Sequence, residues 1–226
     1  MYDYTQALRR SRTSRENGAA PREVDVGGRS WLVLPGVFSP GDSRSSAAHL
    51  ALLDFPVDGS LLEIGSGCGL IAVSAALAGC RGVVATDLNP VAVENTALNA
   101  RRFGVADAVS CRLGDLFAPL AEEERFDVVY WHSNNVWTPP ALTPEHVHEL
   151  AYVDPGYDAH KRFFRDARAH LAPGGRVLLG VSSRAERTHL DLFAAHEHQR
   201  LVSLASTTVT EPEGPVVYEL LELLGG

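Results

Sequence analysis

Lysine is nearly missing from this chain: Lys161 is the only one, so almost all of its positive charge is arginine. The 20 basic residues face 28 acidic ones, a formal net charge of −8. That balance counts against a nucleic-acid substrate, whose binding rests on a basic surface. Cysteine is scarce too. Cys68, Cys80 and Cys111 are odd in number, far apart and without a C-x-x-C pair, so neither a disulfide framework nor a zinc site is expected, and a reduced cytoplasmic compartment is the simple reading. The N-terminus shows no apolar signal core, and no apolar run approaches membrane-spanning length. Internal repeats and low-complexity segments are absent. What is present is 45% hydrophobic residues in 226, which suits one α/β domain with a modest extension.

The chain is organised around Leu61-Leu62-Glu63-Ile64-Gly65-Ser66-Gly67-Cys68-Gly69-Leu70. An apolar run of this length reads as a buried strand. Glycines at alternate positions let the backbone turn sharply and a ligand approach it. The Ala-rich helix that follows offers free N–H groups at its start. The spacing is G-x-G-x-G, not the dinucleotide G-x-G-x-x-G, and the G-K-[ST] of a P-loop is absent.

Around this centre, strand and helix patterns alternate. A polar helix (3–16) and a hairpin turning at Gly27-Gly28 come first, then an irregular loop through Phe38 to Asp42. Strands are expected at 60–64, 82–86, 108–113, 126–131 and 176–181, helices at 70–78, 90–103, 158–171 and 185–195, and a closing antiparallel pair at 200–209 and 216–223. This predicts an α/β fold with a doubly wound, mostly parallel sheet, whose ligands sit beyond the C-terminal strand ends. We divide the chain into an N-terminal extension (1–42) and a ligand-binding domain (43–226).

The strand ends therefore carry the chemistry. The second strand ends in Asp87, 22 residues after Gly65, where a carboxylate accepts from both ribose hydroxyls; the alternative is a cap on the Asn89-Pro90 turn. The third ends in Gly114-Asp115-Leu116-Phe117. There Asp115 either accepts from an adenine amino group or is a solvated turn residue. Residues 63–69, 84–93, 114–117 and 126–131 together resemble class I S-adenosylmethionine methyltransferases. The Asn89-Pro90 helix start, the run Asn95 to Asn99, and Val37-Phe38-Ser39-Pro40 followed by Asp42-Ser43 resemble the HemK-like, small-domain branch. The resemblance spans about residues 33 to 182. It implies S-adenosylmethionine as cofactor, with Glu63, Gly65, Gly67 and Gly69 along the methionine moiety, Asp87 on the ribose, and Leu88, Asp115 and Leu116 around the adenine. Phe38 would cover the methyl-donor side, and Tyr130 to Asn135 would face the sulfonium.

The fourth motif departs from that branch. Where Asn-Pro-Pro-aromatic is usual, this chain has His132-Ser133-Asn134-Asn135. An imidazole can take a proton near neutral pH, so His132 is the candidate general base, or else a plain cofactor contact. Asn134 is the candidate for orienting the acceptor, or else a turn residue. The loop from Val136 to Gly156 would act as a lid, with Trp137, Pro139 and Pro140 walling the acceptor pocket. Glu145, His146, His148 and Glu149 lie in an expected solvated helix without metal-ligand spacing, and His160, His170, His189, His196 and His198 read as surface. The altered motif, the negative charge and the lack of a large recognition domain lead us to expect methyl transfer to O or N of a small molecule, as in specialised metabolism. The alternatives are protein or RNA N-methylation of HemK type, or nucleoside binding without catalysis.

Overall fold

The computed structural model describes residues 2–226. Along the chain run α1 (Tyr4–Asn17), β1 (Arg22–Val26), β2 (Arg29–Val33), α2 (Arg44–Leu52), β3 (Ser60–Ile64), α3 (Leu70–Leu77), β4 (Gly82–Asp87), α4 (Pro90–Arg102), β5 (Val109–Leu113), β6 (Phe126–His132), β7 (Val136–Thr138), β8 (Val153–Pro155), α5 (Asp158–Asp166), β9 (Leu171–Ser182), α6 (Arg187–His196), β10 (Gln199–Glu211) and β11 (Gly214–Gly225). Seven strands form the central sheet in the order β10-β11-β9-β6-β3-β4-β5. The pairs from β9 through β5 are parallel; β11 joins β9, and β10 joins β11, antiparallel. The expected fold is therefore found. Strand order reverses between β3 and β6, which places a ligand crevice at their C-terminal ends.

Successive strand residues point to opposite faces, and the core divides accordingly. Leu61, Val83, Ala85, Val128, Tyr130 and Leu178 pack on the face covered by the hairpin, α3 and α4. Leu62, Val84, Val129, Trp131, Val177 and Leu179 pack on the other, with Phe163, Phe164 and Leu190 of α5 and α6. Continuous apolar runs are what two covered faces require.

The hairpin turns where expected, with Gly27 and Gly28 at φ 60° and 73°, the two positive values a two-residue turn of this twist needs. It is anchored by Trp31, fully buried, whose indole N–H donates to the Val26 carbonyl at 3.0 Å and whose ring meets Phe103 at 4.7 Å. The edge of β2 turned away from β1 is closed by two buried asparagines of α4. Asn95 Nδ2 donates to the Leu32 carbonyl and Asn95 Oδ1 accepts from Leu34 N–H, both at 2.8 Å. Asn99 Oδ1 accepts from Leu32 N–H at 3.1 Å, and its Nδ2 reaches the carbonyls of Leu32 and Cys68, both at 2.8 Å. An open strand edge is thereby satisfied, and the hairpin is tied to the glycine loop.

Several expectations need correction. The helix expected over 158–171 ends at Asp166 and passes through a 3-10 turn (Ala167–His170). Pro173 to Gly175 lie within β9, where the β6–β9 register jumps. His160 is fully buried, not surface: its Nδ1 meets Asp154 Oδ2 at 2.6 Å, and the same carboxylate accepts from His160 N–H. His148 is not on a solvated helix. It lies buried in a 3-10 turn (Val147–Ala151), with Nδ1 2.8 Å from Ser11 Oγ of α1.

Candidate cofactor and acceptor site

At the C-terminal ends of β3, β4 and β6 lies a cavity of about 480 Å³, within the range of small-ligand and cofactor sites. Phe38, Glu63, Gly65, Gly67, Asp87, Leu88, Asp115, Leu116, His132 and Asn134 all line it. Gly69 does not. A Cβ there would meet Thr96 Cγ2 at 2.9 Å, so this glycine lets α3 and α4 approach each other. At Gly67 a Cβ would find nothing within 4 Å, at φ 56°; its side is open.

The loop is held from below. Gly65 and Ser66 N–H both donate to the Thr86 carbonyl. Asp87 Oδ2 accepts from Gly67 N–H and Oδ1 from Asn89 N–H, each at 2.8 Å. Asp87 thus does tie the Asn89-Pro90 turn, yet each oxygen keeps a further lone pair. Burial raises its carboxyl pKa. Glu63 accepts from Ala72 N–H at 2.8 Å and so caps α3, whose own N-cap, Gly69, has no side chain to do so. Burial, reinforced by the Asp87 charge, lifts Glu63 well above the ordinary carboxylate range. Leu116 is held at φ 48° with its carbonyl on the Thr86 hydroxyl. Asp115 accepts from Arg162 Nη1 at 2.6 Å, a partner the sequence pattern does not reveal.

On the donor side Phe38 packs against Tyr152 at 5.3 Å. The segment after β6 is firmly placed. Ser133 N–H donates to the Gly180 carbonyl, Ser182 Oγ donates to Asn135 Oδ1 at 2.9 Å, and the Tyr157 hydroxyl donates to the Asn135 carbonyl at 2.8 Å. Asn134 Nδ2 donates to the Val153 carbonyl at 2.9 Å, while Asn134 Oδ1 is buried with no partner. His132 is half-buried, its ring 4.3 Å from that of His49. Burial, and secondarily His49, depress its pKa well below the usual value, so the imidazole is neutral at physiological pH. His49 is fully buried between the carbonyls of Ser45, Val181 and Glu219, a neighbour with no sequence signature.

The expected lid is built as a short parallel pair, β7 and β8, with the 3-10 turn between them, packed under α1. Val136, Val147, His148 and Tyr152 are among its residues that line the cavity; Trp137, Pro139 and Pro140 do not reach it. Trp137 faces His189 instead.

A glycine loop, an acidic strand end and a polar fourth strand end around one crevice define the class I methyltransferase arrangement. The methyltransferase small domain model matches residues 29–203, and the chain belongs to that family, on the HemK-like branch of the S-adenosylmethionine-dependent enzymes. It is 36% identical over 178 residues to a release factor glutamine methyltransferase of Cereibacter sphaeroides, covering 74% of this chain and 62% of that protein. A ribosomal protein L11 methyltransferase of Chromohalobacter salexigens is 33% identical, over 69% of this chain and 44% of its own. The chain thus spans under two thirds of these relatives' length. Among solved structures, a Thermus thermophilus 16S rRNA N2 G1207 methyltransferase bound to AdoMet and guanosine shares the fold at TM-score 0.60 and 20% identity, over 91% of this chain and 50% of that one.

These relatives overturn the expected small-molecule acceptor and the role in specialised metabolism: those named act on release factors and ribosomal proteins. Net charge is no ground for setting a macromolecular substrate aside, nucleic acid included, since rRNA and tRNA methyltransferases share this fold. Among the described residues no helix is long and apolar enough to cross a membrane.

Proposed function

We propose that this chain is an S-adenosylmethionine-dependent methyltransferase acting on a side-chain amide nitrogen of a protein, glutamine foremost, in the cytoplasm. The observation that carries the substrate class is Asn134. An acceptor oxygen buried in a cavity wall without a partner forfeits about 1–3 kcal/mol. An amide NH₂ arriving there recovers it and is oriented by it. The glutamine methyltransferases among the relatives support the same chemistry.

The cofactor fits the other end of the cavity. The open Gly67 leaves room for backbone approach, and the Asp87 lone pairs suit two ribose hydroxyls. Bound S-adenosylmethionine supplies the activated methyl group. The protein's part is to hold the amide in line and exclude water, the first 42 residues serving as the cover. As the N–CH₃ bond forms and the S–CH₃ bond breaks, the amide nitrogen carries one proton too many. The neutral His132 takes it.

The test is incubation with isotope-labelled S-adenosylmethionine and a bacterial lysate, followed by peptide mass spectrometry. Label on glutamine amides supports the proposal, and Asn134→Ala should reduce kcat on the same peptide by about tenfold or more. Label confined to RNA or to low-molecular-weight fractions would refute it.

A further inference from the structure

We propose that the acceptor end of the cavity holds a carboxylate of the substrate, flanking the methylated amide, on Arg10 and Arg184. This rests on the amide-methylation reading above. Arg10 comes from α1 and Arg184 from the turn after β9, and both line the cavity. Both face Glu211, a buried carboxylate. One Glu211 oxygen is bound by Arg184 Nη2 and the other by the Tyr218 hydroxyl. Arg10 Nη2 stays 3.9 Å from Glu211, beyond hydrogen-bond range, and makes no other ion pair or hydrogen bond among the described residues. The remaining acid, Glu213, is half exposed at the rim, 3.4 Å from Arg184. Two guanidiniums with ten N–H donors therefore share one buried negative charge. Arg10, its side chain 25% exposed, keeps donors that no group of the protein fills, and the planar fork of Arg suits a carboxylate.

The pair is also in the right place. Arg184 N–H donates to Ser182 Oγ, which donates to Asn135 Oδ1, next to Asn134. From the other side, Tyr218 meets the ring of His49 at 5.6 Å, and His49 meets His132 at 4.3 Å. The arginines thus border the groups proposed to hold and deprotonate the amide, and the carboxylate that fits belongs to the same short stretch of substrate.

Fluorescent, end-blocked pentapeptides with one central glutamine, flanked by Asp, by its neutral isostere Asn, or by Lys, test this with the demethylated cofactor present. A fourth peptide carries a free C-terminal carboxylate on an Asn-flanked sequence. Binding is read by anisotropy, and methylation in parallel with labelled S-adenosylmethionine. The Asp peptide should bind about tenfold tighter than the Asn peptide. That ratio should fall towards one in Arg10→Gln, and Arg10→Glu should shift preference to Lys. A comparable gain from the free C-terminus alone would assign the same subsite to a chain end. Equal binding of the Asp, Asn and C-terminal peptides overturns the proposal. So does an Asp preference that survives Arg10→Gln, or an Arg10→Gln variant that weakens cofactor affinity and leaves peptide preference intact. Peptides bound with the expected preference but never methylated would refute the amide reading and leave the carboxylate subsite standing.

Discussion

Replacing Asn99 with leucine keeps the side chain's branched skeleton and removes all its hydrogen bonds, which makes the cost calculable. Two backbone groups lose their only side-chain partner from α4: the Leu32 N–H and the Cys68 carbonyl. The Leu32 carbonyl does not, because Asn95 Nδ2 still reaches it at 2.8 Å. At about 2 kcal/mol for each orphaned group, less about 1 kcal/mol gained by an apolar side chain, the loss is about 3 kcal/mol. For a chain of this size that is a Tm lowered by about 6–12 °C. Asn95→Leu orphans only the Leu34 N–H and should cost less than half as much. The double variant strips the Leu32 carbonyl of both partners, so it should exceed the sum of the singles by about 2 kcal/mol. Urea unfolding at constant m-value reads all three. Cofactor affinity should fall with Asn99, which holds the glycine loop at Cys68, and not with Asn95. Strict additivity, or an Asn95 variant as damaging as the Asn99 variant, would refute the assignment of these bonds.

Two further outcomes follow from the site. Gly69→Ala forces a Cβ into Thr96 at positive φ and should cost about 2–4 kcal/mol of stability. Gly67→Ala, with open space around it, should cost about 1 kcal/mol but weaken cofactor binding more strongly; thermal unfolding and calorimetry with S-adenosylmethionine separate the two, and equal stability losses would contradict the packing role of Gly69. Because burial depresses the His132 pKa, the base stays unprotonated from alkaline pH down through neutrality. At saturating substrates kcat should therefore hold level to below about pH 6.5, the free imidazole value, and fall only in more acid solution. A fall centred at or above that pH, or one that persists unchanged in His132→Ala, would exclude His132 as the proton acceptor.

The fold was legible because its signals are local. Apolar runs marked both-faced strands, Gly27-Gly28 marked the hairpin turn, and Asn89 caps its helix as the Asn89-Pro90 start suggests. That Gly65, Gly67 and Asp87 would line one cavity was legible for the same reason, since they sit at or just after strand ends and the topology gathers strand ends. Errors arose where a residue's environment is set from far along the chain. His160 looks like any polar residue of an amphipathic helix, yet Asp154 and Trp131 enclose it. His148 is buried by Ser11, a residue from the opposite end of the sequence. Arg162 on Asp115 and His49 against His132 are likewise contacts without local spacing.

The substrate class was misread for a related physical reason. A net charge of −8 averages over the whole surface, whereas recognition depends on the field inside one low-dielectric crevice. At its acceptor end Arg10 and Arg184 both face the buried carboxylate of Glu211, a local grouping that the net charge does not report. An Asn-Asn pair reads as a turn because side-chain amides usually satisfy themselves locally. Asn134 satisfies only its NH₂, on Val153, and leaves its oxygen unpaired. An acceptor lacking its donor and a cation lacking its full complement of anions are properties of the assembled wall. Both become visible only when β6, the turn after β9 and α1 are brought round the same cavity.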